Sequence, residues 1–582
     1  MRLLNFKSSL FIALLYVCVA SADRPFTSVK QGDLEGVWQT SRKGLQYAAF
    51  MGIPYAKPPV GPLRFEPPKK ADSWSGVLDA GDFRSPCIAY EHVLGPDKHD
   101  PVVGEEDCLF LNVYTPRLPK ENAKDEDLLD VVFYIHGGAF MFGGSQYYGA
   151  KYLMDIDVVL VTMNYRLGPM GFLSLEDEIV PGNNGLRDQR FAMEWVNKNI
   201  RSFGGNPEQV TLMGLSAGGA SVHYHLLKND VHRLFKAGIS MSGTATCPWA
   251  LVDNARERAL TYATSLGCDV SEGSEKIVEC LKGLPADDLM RAVEQFLVWQ
   301  YSPFSPFGPV VEINPPEKYP AFLYHPPANT LLSGMARRIP WMVGTVESEG
   351  LYPVASFIDN EEELKRLDEE FDELVPFLLD FNHTVKETDR LMVTRKIRQE
   401  YFGDKKVSKE TTKELIKMAS DRLFLVDAQQ AAEIQGQFGP TFFYKVTRRP
   451  STSLSDLMSG TNNNYGTSHV DDLSYIMNMT FYGDNEKTGD ELEFMEMMLE
   501  LWRTFIKMDE KVPHYKDLVW SWVDPEADFN YALLDKVPGH IAYDNDMGNA
   551  EFWLSLPIEE STQRTSQRRK FLRDMEKARD EL

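Results

Sequence analysis

The sequence predicts an α/β fold with a central, mostly parallel sheet and helices on both of its faces. Short β-branched runs alternate with amphipathic stretches along the chain, and apolar residues at helical spacing mark a helix over 186–201. Continuous apolar strands suit a sheet covered on both faces, and alternation of strands with helices favours parallel order. The predicted strands cover 131–135, 158–162, 210–213, 340–343 and 442–446.

The composition is that of an ordinary globular chain, although length alone would suggest about three or four domains at ~100–200 residues each. Of 582 residues, 43% are hydrophobic and 25% charged, which excludes a disordered chain and a disulfide-stapled mini-protein. The net charge of −24 repels phosphate backbones, so nucleic acid is not an expected partner. No repeat or linker divides 23–557, so we expect a single domain there. Within it, 357–410 has the pattern of an acidic, helical surface insertion.

The N-terminus has the pattern of a secretory signal peptide over residues 1–22. Arg2 and Lys7 precede an apolar run over 10–19, and Ala20-Ser21-Ala22 forms a small-residue cleavage pattern. A membrane anchor is the alternative, but ten apolar residues cannot span ~30 Å of hydrocarbon as a helix. No later stretch reaches 18 uncharged apolar residues, so we expect no membrane span.

The C-terminus predicts a second targeting signal. Residues 558–582 form a charged tail that ends in Arg579-Asp580-Glu581-Leu582, which resembles a KDEL-type retrieval signal. The alternative is that these four residues match the signal by chance within a charged tail. A retrieval receptor that reads these four residues would keep the protein in the lumen of the endoplasmic reticulum, and without it the protein would be secreted.

Cysteines and sequons agree with the secretory route. Cys18 leaves with the signal peptide, and close spacing suggests Cys87–Cys108 and Cys268–Cys280, although four cysteines allow three connectivities. Cys247 remains. No CxxC or HExxH motif is present, so we expect no metal. N-glycosylation sequons begin at Asn382 and Asn478.

The candidate nucleophile lies in Gly214-Leu215-Ser216-Ala217-Gly218, between an apolar strand and a helical stretch. In that context G-x-S-x-G is typical of a nucleophile elbow, in which the serine is exposed on a strained turn and the following helix supplies N–H donors. A glycine-rich turn that merely contains a serine is the alternative. A second turn, His136-Gly137-Gly138, follows the strand over 131–135 and is typical of an oxyanion hole.

The candidate base and acid follow the serine in the chain. His469 lies in a polar loop rich in Gly, Ser and Thr, which can present an imidazole, whereas His383 is inside a sequon. The acid lies in the loop after the strand over 340–343, where Glu347 and Glu349 are both candidates. Residue patterns alone leave these two open.

Longer motifs resemble the type B carboxylesterase family of α/β hydrolases, which includes the cholinesterases and insect juvenile hormone esterases. The segment 104–116, GEEDCLFLNVYTP, resembles the family's E-D-C-L-x-L-N-x-x-x-P signature, and 47–68 matches its N-terminal signature. Further shared positions occur at 164–166, 183–185 and 188–189, and the resemblance extends from about residue 28 to residue 522. Within that family, the overall sequence pattern is most similar to that of insect esterases.

The resemblance implies roles for individual residues. The family's G-x-x-x-x-E-G pattern selects Glu349 as the acid, and its G-x-x-H-x-x-[DE] pattern selects His469 as the base of Ser216. It implies oxyanion donors at Gly138, Ala139 and Ala217, the disulfides Cys87–Cys108 and Cys268–Cys280, and Trp249 on the acyl side of the gorge. It implies hydrolysis of a small-molecule ester through an acyl-enzyme, with no cofactor.

Departures from the family's subgroups bear on the substrate. Cholinesterases hold a quaternary ammonium with a Trp that is absent between Cys87 and Cys108, where Lys98 and His99 occur instead. We therefore reject a cholinesterase. Juvenile hormone esterases commonly have Gln where this chain has Leu215, so that activity stays as an alternative. A non-catalytic adhesion member of the fold and a lipid or hormone carrier are the alternatives from other classes.

Overall fold

A computed structural model describes residues 24–91, 93, 100–120, 122–228, 233–483, 486–507 and 512–560. The predicted signal peptide with Cys18, the residues Lys98 and His99, and the C-terminal tetrapeptide lie outside the described residues. In the described part, no helix is long and apolar enough to cross a membrane.

The described chain is built around one 11-stranded sheet. In chain order its strands are β1 (Val37–Thr40), β2 (Gln46–Pro54), β3 (Phe110–Thr115), β4 (Leu129–Ile135), β5 (Val158–Met163), β6 (Gly205–Leu215), β7 (Ala237–Met241), β8 (Trp341–Val346), β9 (Thr441–Val446), β10 (Asn530–Leu534) and β11 (His540–Tyr543). Their spatial order is β11-β10-β9-β8-β7-β6-β4-β5-β3-β2-β1.

The middle of this sheet is parallel and its margins are antiparallel. Strands β5, β4, β6, β7, β8, β9 and β10 pair in parallel, whereas β3, β2, β1 and β11 join antiparallel. The predicted mostly parallel α/β sheet is confirmed. Because parallel strands end at the same edge, the segments that follow β4, β6 and β8 emerge side by side.

Helices cover both faces of the sheet and complete the core. They are α1 (Gly168–Phe172), α2 (Asn184–Asn199), α3 (Ala217–Leu226), α4 (Ala255–Ser265), α5 (Ser274–Lys282), α6 (Ala286–Arg291), α7 (Pro327–Leu332), α8 (Leu351–Val354), α9 (Glu361–Glu369), α10 (Phe371–Leu378), α11 (Glu387–Tyr401), α12 (Thr412–Ser420), α13 (Val426–Gly436), α14 (Leu454–Ser459), α15 (Gly489–Lys507) and α16 (Ala550–Ser555). A π-helical turn, Asp421–Leu425, joins α12 to α13.

Small strands make up the remaining sheets. A three-stranded sheet contains Phe26–Val29, Gly32–Glu35 and Val77–Asp79, and the two-stranded pairs are Ala89–Tyr90 with Val102–Val103, Tyr148–Gly149 with Asn478–Met479, and His514–Tyr515 with Leu518–Val519.

The helical region predicted over 357–410 is part of the common core. Helices α9 and α10 carry acidic residues on their outer faces, whereas α11 contains more basic than acidic residues. Leu364, Phe371 and Ile397 are buried in the same apolar cluster as the central strands. Beyond residue 557, Ile558 is fully buried and Glu560 pairs with Arg422, so the packing continues through the last described residues.

Both expected disulfides are present. Cys87 is joined to Cys108 and Cys268 to Cys280, while Cys247 is buried outside either bridge. Such bridges are typical of oxidising compartments.

Candidate active site

Ser216 occupies a strained turn between β6 and α3. Its backbone has φ 58° and ψ −124°, and its N–H donates to Met241 O at 2.8 Å. The turn requires glycine at Gly218, because a Cβ there would lie 2.0 Å from Ile135 O on the neighbouring strand. A non-glycine residue with positive φ is uncommon, and such strain concentrates at functional sites. The predicted nucleophile therefore sits at the carboxyl edge of the sheet in elbow geometry.

His469 is held by a buried carboxylate. Its Nδ1 donates to Glu349 Oε2 at 2.6 Å, and Glu349 Oε1 accepts from Val346 N at 2.8 Å. Glu349 is fully buried, whereas Glu347 is exposed. The contact thus separates the two acids that residue patterns left open. With Nδ1 occupied as a donor, Nε2 is the nitrogen available as a base.

Ser216 and His469 line one pocket of about 500 Å³. Most of its wall is aliphatic or aromatic, and no Asp, Glu, Lys or Arg is among the described residues that line it. The lining residues are Val93, Gly137, Gly138, Ala139, Phe142, Gly143, Tyr148, Leu215, Ser216, Tyr352, Leu454, His469, Val470 and Phe481. A mostly apolar pocket with a few convergent polar groups is typical of a small-molecule site.

Within the described part of the chain, the predicted oxyanion donors have N–H groups without an acceptor. Among the described residues, none of the N–H groups of Gly138, Ala139 and Ala217 donates a hydrogen bond. Gly138 has φ 110°, and a Cβ there would lie 2.1 Å from Phe142 O. Buried N–H groups rarely lack an acceptor, so this cluster is suited to an oxygen that arrives with a ligand.

His136, which opens this turn, has a structural role. Its ring stacks on Tyr165 with 4.4 Å between centroids, and Nδ1 lies 2.8 Å from Gly137 O. Tyr165 also donates from its hydroxyl to His136 O at 3.0 Å. Burial lowers the pKa of His136 to about 4, so the ring is neutral at pH 7.

Two aspartates after His469 fasten its loop. Asp471 accepts from Ser468 N at 2.7 Å, from Ser453 Oγ at 2.9 Å and from Leu454 N at 3.3 Å. Asp472 accepts from the Tyr444 hydroxyl at 2.7 Å. Burial raises the pKa of Asp472 to about 6. Residue patterns assigned neither aspartate a function, although Asp472 belongs to the motif that marks His469.

Two aromatic rings pack against the imidazole of His469. The Tyr352 centroid lies 5.4 Å from it and the Phe424 centroid 4.8 Å. Trp249 packs on Phe424 at 5.8 Å and donates from Nε1 to Leu423 O at 2.9 Å. The structure therefore places Trp249 behind Phe424, outside the described lining of the pocket.

The sequon asparagines both have side-chain contacts. Asn478 Oδ1 accepts from Lys151 N at 2.8 Å, and Asn382 Nδ2 lies 3.2 Å from His383 Nε2. Both asparagines are half-buried, and glycosylation at either stays a prediction. Within the described chain, no group of three or more His, Cys, Asp or Glu side chains could hold a metal ion.

The parallel sheet, with Ser216, Glu349 and His469 gathered at its carboxyl edge, defines an α/β hydrolase. The Carboxylesterase family model matches residues 23–552. Venom carboxylesterase-6 of Apis mellifera is 37% identical over 545 residues, covering 92% of this chain and 95% of that protein. Juvenile hormone esterase of Tribolium castaneum is 32% identical over 571 residues, covering 94% and 95%.

The crystal structure of juvenile hormone esterase from Manduca sexta, with OTFP covalently attached, is a structural relative. It has a TM-score of 0.77 and 26% identity, covering 94% of this chain and 100% of that one. The chain belongs to the carboxylesterase family and is a carboxylic-ester hydrolase.

Proposed function

We propose that this protein is a secretory-pathway serine carboxylesterase that acts through an acyl-enzyme on Ser216. The observation that carries the proposal is the shared pocket: Ser216 and His469 line it together, and Glu349 Oε2 lies 2.6 Å from His469 Nδ1. The three N–H groups of Gly138, Ala139 and Ala217, which have no acceptor among the described residues, support it further.

In the proposed acylation, His469 Nε2 takes the proton of Ser216 Oγ, which attacks the ester carbonyl carbon. The carbonyl oxygen becomes an oxyanion that accepts hydrogen bonds from the N–H groups of Gly138, Ala139 and Ala217. One such donor typically lowers the activation barrier by ~3–4 kcal/mol. The tetrahedral intermediate expels the alcohol, which leaves with the proton from His469. Glu349 keeps the Nδ1 proton of His469 in place and stabilises the imidazolium that forms when Nε2 takes up a proton.

Deacylation repeats the same steps with water. His469 Nε2 removes a proton from water, the resulting hydroxide attacks the acyl carbon, and Ser216 leaves with that proton while the acid is released. In these steps the heavy-atom bonds that break and form are acyl C–O bonds, and the other changes are proton transfers through His469, so neither a metal nor a redox cofactor is needed.

The pocket lining supports uncharged ester substrates. Burying a charged group in a mostly apolar pocket is costly unless a counter-charge pairs with it. The described lining contains no carboxylate, ammonium or guanidinium group that could do so.

Ester hydrolysis by wild type and Ser216→Ala tests the proposal. We expect wild type to hydrolyse an aryl butyrate and Ser216→Ala to lose at least ~10⁴-fold in kcat. Turnover that survives the substitution would contradict the acyl-enzyme. A wild-type protein that binds esters without turnover would instead be the non-catalytic adhesion or carrier member.

Juvenile hormone esterase is the second candidate. It is favoured by the similarity of this chain to the juvenile hormone esterases of Tribolium castaneum and Manduca sexta and disfavoured by Leu215, where that group commonly has Gln. Measuring kcat/KM on a juvenile hormone and on an aryl butyrate separates the candidates. A strong preference for the hormone makes this a hormone-degrading esterase, and a preference for the aryl ester makes it a general carboxylesterase.

The secretory route is part of the proposal. The pattern over residues 1–22 and the two disulfides support entry into an oxidising compartment. Deleting Arg579 to Leu582 tests retrieval: we expect the deleted chain to appear in the medium and the full chain to stay inside the cell. Equal secretion of the two chains would mean that the tetrapeptide does not retain the protein and that the protein is extracellular.

A further inference from the structure

Val470, the residue after His469, has an unusual backbone for its type. Its φ is 82°, in the region that favours glycine. Fifteen non-glycine residues of the described chain have positive φ, and Val470 is the only β-branched one among them. For a β-branched residue this conformation is a genuine outlier, because its side chain crowds the backbone. Glycine or alanine would meet less strain here, so the valine side chain needs an explanation.

The loop holds Val470 in this conformation from both sides. On one side, Ser348 N donates to Thr467 O at 2.9 Å and Ser468 N donates to Asp471 Oδ2 at 2.7 Å. On the other side, Leu473 N donates to Val470 O at 3.0 Å. Strain of this kind persists only where the surroundings over-determine the conformation, and it concentrates at active sites.

Val470 forms part of the wall of the pocket that contains Ser216 and His469. Only 9% of the residue is exposed, and it lines the pocket together with Ser216 and His469. His469 must reach the oxygen of the departing alcohol to protonate it. Val470 follows His469 directly in the chain, so its part of the wall borders the space where the alcohol leaves. Phe424, whose ring centroid lies 4.8 Å from that of His469, and Trp249 behind it are outside the described lining of the pocket.

We propose that Val470 determines specificity by limiting the size of the alcohol portion of the ester. This inference rests on the proposed esterase activity of the same pocket. The two γ-methyl groups of Val470 narrow the leaving-group side of the pocket, so esters of compact alcohols are favoured over esters of branched or cyclic alcohols. The strained backbone is retained because it presents those methyl groups beside His469.

The test measures kcat/KM for ethyl acetate, cyclohexylmethyl acetate and ethyl butyrate. The proteins are wild type, Val470→Gly, Val470→Ala and, as a matched control, Glu176→Gly, which removes a side chain at another positive φ of 55° outside the pocket. We expect Val470→Gly to raise the ratio of cyclohexylmethyl acetate to ethyl acetate about 10-fold. Val470→Ala should raise it less, and Glu176→Gly should leave it unchanged.

The acyl comparison identifies the side of the pocket. The ratio of ethyl butyrate to ethyl acetate should stay at the wild-type value in all four proteins. An unchanged alcohol ratio in Val470→Gly or Val470→Ala that retains turnover of ethyl acetate would overturn the inference, as would an equal rise in the acyl ratio. If wild type itself hydrolyses none of the three esters, the proposed function fails and not this inference alone.

Discussion

At the scale of single residues, one loop contains a buried and an exposed glutamate, and only the buried one contacts His469. Glu349 is fully buried and bonded to His469 at 2.6 Å, whereas Glu347 is exposed and its N–H pairs with Val446 O of β9. Residue patterns could place the acid in this loop but could not separate the two. The family motif selected Glu349, and the geometry agrees because only that side chain turns inward.

The first prediction compares the two glutamates. Glu349→Gln keeps the shape of the side chain but removes the charge that stabilises the imidazolium, so we expect kcat to fall by up to ~10⁴-fold. The matched control Glu347→Gln should keep wild-type kcat and KM. Steady-state hydrolysis of an aryl butyrate checks both, and equal losses in the two variants would contradict the assignment of Glu349.

At the scale of elements, the central apolar strands were predictable and the less apolar ones were not. The runs 131–135 and 158–162 became β4 and β5, whose residues are almost all fully buried. Strand β7, Ala-Gly-Ile-Ser-Met, lies at the middle of the same sheet but was missed. Its Gly and Ser interrupt the apolar run, and its place is determined by parallel pairing with β6 and β8, which no local pattern reveals.

The π-helical turn Asp421–Leu425 was also beyond sequence reasoning. It presents Phe424 to His469 and Leu423 O to Trp249, yet nothing in its residues distinguishes it from an ordinary α-helix. Turns of this kind occur frequently at functional sites because the extra residue per turn redirects the side chains around it.

The second prediction concerns the loop that carries His469. Asp471→Asn weakens two hydrogen bonds that join this loop to the start of α14, from Ser453 and Leu454, and a third from Ser468 N within the loop itself. We expect a lower Tm and a kcat reduced by up to ~100-fold, because a small displacement of the imidazole is costly. Asp368→Asn is the control, since Asp368 accepts from Val407 N at 2.8 Å among helices away from the lining of the pocket.

The two variants should separate stability from catalysis. Asp368→Asn should lower Tm and leave kcat unchanged. If Asp471→Asn lowers Tm with kcat at the wild-type value, the loop bonds would be structural only.

At the scale of the whole molecule, one apolar cluster unites the sheet with the helices around it, including α9, α10 and α11. The sequence pattern predicted a surface insertion here, but the depth to which Leu364 and Phe371 enter the common core depends on tertiary packing that no local pattern reveals. This core also buries ionisable groups, which couples folding to pH.

The third prediction follows from His223, on the helix that begins after Ser216. Its ring stacks on Trp341 at 4.5 Å, and Nδ1 accepts from Ala245 N at 3.1 Å. Burial lowers its pKa to about 3 from the usual 6.5. Below pH 6.5 the unfolded chain therefore binds a proton that the folded chain does not bind, and stability falls as the pH is lowered toward 3.

Replacing His223 should remove this acid sensitivity. We expect the free energy of unfolding of His223→Asn to depend less on pH than that of wild type, by about 1.4 kcal/mol per pH unit between pH 6 and 4. Urea unfolding at several pH values measures both slopes. Parallel slopes would mean that His223 is not a neutral buried histidine.

The measurement that tests the central claim most directly is covalent trapping of the nucleophile. The purified protein is treated with an organophosphate, residual hydrolysis of an aryl butyrate is followed, and the site of the adduct is mapped by mass spectrometry. We predict one adduct per chain, on the peptide that contains Ser216, formed in proportion to the activity lost. An adduct on another residue, or full activity after Ser216 is modified, would contradict it.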